Sequence, residues 1–82
     1  ITGWVQATGH LAGASLPISS HIFVEASAHA LAVTKGAHLL EYLDLASAVL
    51  KEPYMVEDGK VAPRGPGIGI EFDRQAVDTF KV

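Results

Sequence analysis

The chain has 82 residues and a formal net charge of −3, with 49% hydrophobic and 18% charged residues and no cysteine, so neither a disulfide framework nor a cysteine-based zinc site can staple it. Its lysines and arginines are scattered at Lys35, Lys51, Lys60, Arg64, Arg74 and Lys81, which gives no basic stripe for phosphate backbones and argues against nucleic acid as a partner. No apolar run approaches the roughly 18 residues needed to span a bilayer and no signal-peptide pattern is present, so a cytoplasmic protein with no membrane partner is expected.

A chain this short buries only roughly 60% of the surface its unfolded form exposes. Its charged share falls below the usual value of about 25%. That composition suits a buried interior better than a small free-standing module. With Ile1 in first place and helical spacing beginning almost at once, the reading is a fragment whose apolar surface expects a partner.

From Trp4 to Ala14, apolar or small residues recur at Trp4, Ala7, Thr8, Leu11 and Ala14, spaced by threes and fours as on one face of a helix. Leu16-Pro17-Ile18-Ser19-Ser20 follows as a short extended segment, because Pro17 ends the helix and biases its neighbour towards β geometry. His21 stands at its C-terminal end. Helical spacing returns from Phe23 to Thr34, with Val24, Ala28 and Leu31 on one stripe and Lys35-Gly36 as a stop.

His38-Leu39-Leu40-Glu41-Tyr42-Leu43 is an apolar run suited to a covered strand of a parallel sheet, and Asp44 is placed to cap a helical stretch from Leu45 to Leu50. This helix, strand, helix, strand order over residues 1–52 has the rhythm of an α/β fold built on parallel strands. Residues 53–82 have another texture. Tyr54 to Ala62 reads as a hairpin closed by Asp58-Gly59, Arg64 to Gly69 is a glycine and proline cluster, and Asp73 caps a last short helix through Phe80.

Three constellations carry possible chemistry. His21, Glu25 and His29 are spaced i, i+4, i+8 and would offer three metal ligands on one continuous helix. Pro17 and the two serines put His21 at a strand end instead, so the preferred reading is an ordinary packed or hydrogen-bonded helix histidine and no metal site. Gly65, Gly67 and Gly69 complete neither a dinucleotide nor a Walker pattern and read as a turn. The third pairs two strand ends, Ser19-Ser20-His21 and Leu40-Glu41, 20 residues apart with a helix between. In a parallel β/α barrel consecutive strands end on one rim, so His21 and Glu41 would share the mouth. Composition alone still favours an unrelated histidine and glutamate.

The run Pro17-Ile18-Ser19-Ser20-His21-Ile22-Phe23, with Glu25, Ser27-Ala28-His29, Ala37-His38, Leu40-Glu41 and Leu43-Asp44-Leu45-Ala46, resembles the C-terminal part of the mandelate racemase and muconate lactonizing enzyme family of the enolase superfamily, in its mandelate racemase-like subgroup. Ile1-Thr2-Gly3-Trp4 resembles the stretch after that family's sixth barrel strand, and Gly65 to Gly69 its closing segment. The resemblance implies a TIM-type barrel of eight β/α units with a capping domain, of which this chain would be a C-terminal fragment. Residues 1–52 would supply the last barrel units, with strands seven and eight, and residues 53–82 a hairpin and a segment returning to the capping domain.

Family members remove the proton next to a carboxylate and hold the resulting enediolate on magnesium. The resemblance makes His21 one of two opposed bases, oriented by an aspartate on strand six, and Glu41 a protonated acid that hydrogen-bonds the substrate carboxylate. It makes Ile22 and Leu43 lining residues of an apolar substrate cavity. The magnesium ligands and the opposing lysine base lie on strands outside this chain, so the fragment alone is expected to be inactive. The expected parent is a homo-oligomer acting on a small carboxylate, and a 2-hydroxy acid racemase comes first. An acid-sugar dehydratase, in which the same histidine expels a hydroxide, stays open, as does a non-catalytic binding module that folds alone.

Overall fold

The computed structural model describes all 82 residues, Ile1 to Val82. The elements in order are α1 (Thr2–Gly13), α2 (Val24–Ala32), a 3-10 turn (Ser47–Val49) and α3 (Arg74–Thr79). Each forms where local chemistry allows it. Helix α1 presents Trp4, Thr8, Leu11 and Ala12 as its half-buried stripe, and its end is closed by Ser15 at φ 55° with the Leu16 N–H donating to the Leu11 carbonyl, as helix termini do when one residue adopts the left-handed region. Helix α2 buries Val24, Ser27 and Ala28. Helix α3 starts at Asp73, whose carboxylate accepts the N–H groups of Gln75 and Ala76, satisfying two donors that a helix start leaves open.

The sequence reading expected strands at Leu16 to Ser20 and His38 to Leu43, and the structure corrects this. The two segments do run parallel, but only Ile18 and Ala37 pair as in a sheet. The Ile18 N–H donates to the Gly36 carbonyl and the His38 N–H to the Ile18 carbonyl. Beyond that pair the Ser20 N–H donates to the Leu39 carbonyl, but the Leu39 and Glu41 N–H groups donate to the Ser19 and Ser20 hydroxyls, and the ladder stops. Each segment also has only one neighbour here, whereas a strand in a closed barrel has two. The stretch Leu45 to Leu50 is likewise a single 3-10 turn in place of the helix expected. Asp44 does cap it, accepting from the Ser47 N–H and hydroxyl, and those bonds hold its carboxyl below the ordinary 3.8. The stabilisation from this cap is therefore complete above that ordinary value and fades as pH falls through the lowered one.

The second half of the chain folds back against α2. Asp58 and Gly59 both have positive φ and form a two-residue turn between Glu57 and Lys60, the geometry that suits the twist of a hairpin. The buried Tyr54 ring packs with Val24 and Ala28, backed by Leu40, Val61 and Ile70. Its hydroxyl lies 3.0 Å from the Ile68 carbonyl and accepts from the Arg64 N–H, while the Arg64 guanidinium sits 4.5 Å from the ring centroid. His29 Nε2 lies 3.1 Å from the Arg64 carbonyl. Lys51 and Phe72 segments are joined by an antiparallel pair, Leu50 with Phe72, and by the Lys51–Glu71 ion pair.

This core is small. Six residues are buried, and Val5, Phe23, Leu39, Leu43, Leu45, Met55 and Phe80 are among the large apolar side chains left exposed. The accessible surface is 6059 Å², against about 4,700 Å² for a compact monomer of this mass, and the Cα radius of gyration is 14.6 Å against about 12 Å. Such apolar exposure marks surface that other protein covers. No helix is long and apolar enough to cross a membrane.

The closing loop offers a sharp test of this packing. Gly69 has φ +67°, and a Cβ there would lie 1.8 Å from the Arg64 carbonyl and 2.7 Å from the Tyr54 hydroxyl, whereas Gly67, at φ +60°, faces open space. Gly67→Ala should cost about 1–2 kcal/mol from conformation alone, and Gly69→Ala at least about 3 kcal/mol, because backbone must also move. Equal losses for the two in denaturant unfolding would show that the Arg64 to Gly69 loop is not packed as described.

Candidate functional site

His21 and Glu41 meet at the ends of the two extended segments. His21 Nδ1 is 2.8 Å from Glu41 Oε2, with side chains 85% and 50% exposed. The same oxygen accepts the Ile22 N–H at 2.9 Å, so two donors converge on Oε2 and fix the carboxyl plane. A carboxylate only accepts, so when Glu41 is ionised it keeps the ring proton on Nδ1 and leaves Nε2 free. The pair faces solvent.

The turn that carries His21 into α2 is strained. Ile22 and Phe23 have φ of 44° and 48°, a region that costs of order 1–2 kcal/mol for a side-chain-bearing residue. It is held by α2 itself. The Phe23 carbonyl accepts the N–H groups of Ala26 and Ser27, and the buried Ser27 hydroxyl donates to the Ile22 carbonyl at 2.7 Å. Sequence reasoning missed Ser27, although a serine on the buried stripe of an alanine-rich helix is a signal, because a buried hydroxyl needs a partner.

Ile22, expected to line a cavity, is half-buried beside His21. Leu43, expected to do the same, is 52% exposed, just past Glu41 and before the Asp44 cap. The structure does not gather the other metal-ligand candidates. His21 stands outside α2 beyond the strained turn, and His29 Nδ1 lies 3.0 Å from the carbonyl of its own helix at Glu25, so His21, Glu25 and His29 share no face. No group of three histidine, aspartate or glutamate side chains is placed to hold a metal ion. The glycines at 65, 67 and 69 all take positive φ, and serve the turn that seats Arg64 over Tyr54.

The clamp on the strained turn predicts an outcome. Ser27→Ala should release the Ile22 carbonyl and raise amide exchange in the peptide spanning residues 19–26 by about 10-fold, in line with the roughly 1–2 kcal/mol of one buried hydrogen bond. Exchange unchanged in that peptide would show that the turn is held by other means.

Among solved structures, an enolase from Bradyrhizobium complexed with magnesium and mandelic acid matches 99% of this chain with a TM-score of 0.94 and 52% sequence identity. An enolase from the alpha proteobacterium BAL199 with bound magnesium matches 96% of it with a TM-score of 0.90 and 35% identity. This chain spans 22% of the length of each, which agrees with a part of a barrel and accounts for the absence of a closed one. The segments around His21 and Glu41 are thus folded as in enzymes several times longer. The model of the enolase C-terminal domain-like family matches residues 1–76, and the chain belongs to that family.

Proposed function

We propose that this chain supplies two working side chains of a magnesium-dependent enolase-superfamily enzyme that removes the proton next to a substrate carboxylate, most specifically a 2-hydroxy acid racemase. The observation that carries this reading is the 2.8 Å contact between His21 and Glu41 at adjoining segment ends. It is supported by 52% identity to an enolase that binds mandelic acid, itself a 2-hydroxy acid.

In this reading His21 exchanges the proton at Nε2, the nitrogen that Glu41 leaves free. An imidazole suits that step because its charge changes near neutral pH. Glu41 Oε2 is occupied by His21 and the Ile22 N–H, so Oε1 is the oxygen that would carry a proton towards the substrate carboxylate. A hydrogen bond given there strengthens as the carboxylate takes up charge from the departing proton, which lowers the barrier more than it tightens ground-state binding. Ile22 and Leu43 would line the apolar side of the substrate pocket.

Magnesium finds no cage in this chain, since no three carboxylate or imidazole groups converge and a magnesium ion demands near-octahedral oxygen ligation. Its ligands would come from the rest of the barrel, as would the opposing base. The 82-residue chain alone should therefore show no exchange of the α-proton of mandelate against solvent deuterium, and measurable exchange would remove the need for those missing groups.

In the full-length enzyme the sharpest test uses mandelate-type acids beside aldonic and aldaric acids. With a base on each face of the substrate, His21→Asn should slow α-proton exchange of one enantiomer by at least ~100-fold while the other enantiomer keeps exchanging. Glu41→Gln, which keeps a donor, should retain a residual rate about 10- to 100-fold below the parent. Loss of water from an acid sugar without epimer exchange would replace the racemase with a dehydratase. Unchanged exchange of both enantiomers in His21→Asn would take His21 out of the chemistry.

A further inference from the structure

The contact between His21 and Glu41 requires a break in sheet register, and two serines make that break. At Ile18 and Ala37 the parallel pairing is regular: the Ile18 N–H donates to the Gly36 carbonyl and the His38 N–H to the Ile18 carbonyl. Continued without change, this pattern would send the Ser20 N–H to the His38 carbonyl and the Leu40 N–H to the Ser20 carbonyl. The structure departs from it. The Ser20 N–H donates instead to the Leu39 carbonyl at 3.0 Å, the Leu39 N–H to the Ser19 hydroxyl oxygen at 3.2 Å, and the Glu41 N–H to the Ser20 hydroxyl oxygen at 3.2 Å. The second segment has advanced by one residue after the single sheet pair, a bulge-like slip.

That single residue decides where Glu41 goes. Side chains alternate along an extended chain, so one extra residue inverts the facing of everything after it. In the regular register Leu40 would lie opposite His21, and Glu41 would share the face of Ile18 and Ser20, against α2. With the bulge, Leu40 packs on Val24, Ala28 and Tyr54 and Glu41 reaches His21. The alternation on the first segment agrees, since Ser20 is buried while Ser19 and His21 are exposed.

We propose that Ser20, assisted by Ser19, is a positioning residue for the proposed proton transfer: its hydroxyl accepts the Glu41 N–H in place of a backbone carbonyl, holds the bulge, and so turns the Glu41 carboxyl onto the His21 face. The proposal rests on the reading that Glu41 takes part in turnover. It assigns the two hydroxyls no contact with substrate.

The test is a double-mutant cycle on kcat in the full-length enzyme, with magnesium and mandelate as the probe. Ser20→Ala should lower kcat about 10- to 100-fold, the range expected when a working group moves by about 1 Å. In a Glu41→Gln background the same change should cost less than about 3-fold, because a residue that acts through Glu41 has little left to misplace. Ser20→Thr, which keeps the acceptor, should recover most of the rate. A general structural role would give equal losses in both backgrounds and no selective rescue, and that result overturns the proposal. If Ser20→Ala fails to fold, the exposed Ser19→Ala taken through the same cycle decides, with a smaller loss that again vanishes beside Glu41→Gln. Should Glu41→Gln alone leave kcat untouched, the part given to Glu41 falls and the positioning role falls with it, whereas a large Glu41→Gln loss with an independent Ser20→Ala loss sinks the positioning role alone.

Discussion

The parallel contact between residues 18–20 and 37–41 is the constraint from which the rest of this structure follows. It is short, with one sheet pair and a few hydroxyl-mediated bonds, yet it brings together groups about 20 residues apart. Helix α2 is the strut that closes the loop between the two segments. Its buried stripe sets the distance from them, and its first turn grips the strained Ile22 and Phe23 through Ser27. The entropic cost of closing a loop grows only slowly with its length, and the nine-residue helix orders much of this one.

Packing around Tyr54 extends the same logic to the second half of the chain. Its ring contacts α2, its hydroxyl meets the Arg64 to Ile68 loop, and Tyr42 donates to its carbonyl at 2.8 Å. Tyr42 directly follows Glu41, so the segment bearing the candidate acid is tied on one side to Ser20 and on the other to the Tyr54 hub. The residues beyond 52 thus bear on the site without touching it. They also leave much apolar surface uncovered, including Leu39 and Leu43 beside Glu41, as expected of surface that further protein covers.

Much of this was legible in the sequence. Periodicity located both long helices to within about two residues, Pro17 and Gly36 marked their boundaries, Asp73 marked the start of α3 and Asp58-Gly59 the tight turn, because each of these rests on local chemistry that a few residues determine. The two extended segments read as strands in the sequence and are not strands in the structure, since whether an extended segment becomes a strand depends on neighbours that the segment does not encode. The pairing of His21 with Glu41 could be suspected from their spacing, but the facing of Glu41 could not be read there. In an unbroken register, residues 18 and 41 fall on the same face and His21 on the other, so alternation alone would have separated the pair. What restores it is a pair of hydroxyls substituting for backbone acceptors. Adjacent serines at a strand end are the only trace of this in the sequence, and they are equally consistent with an ordinary polar turn.

The exposure of the pair separates what this chain provides from what it does not. His21 and Glu41 are held in contact while 85% and 50% exposed, so the pair itself is not buried, and its geometry comes from the buried Ser20 and the partly buried Leu40 beneath it. Water around them would screen the interactions on which proton transfer to and from a carbon acid depends. Under the proposed reading, walls of low polarity, fixed dipoles and a second base would come from residues elsewhere in the full-length protein. A division of this kind is physically reasonable. The contact of His21 with Glu41 is set by local hydrogen bonds and turns that lie within these residues, whereas a low-dielectric environment requires surrounding protein. Under the proposed reading the chain would carry the geometry of the site, and the enclosing protein its electrostatic strength.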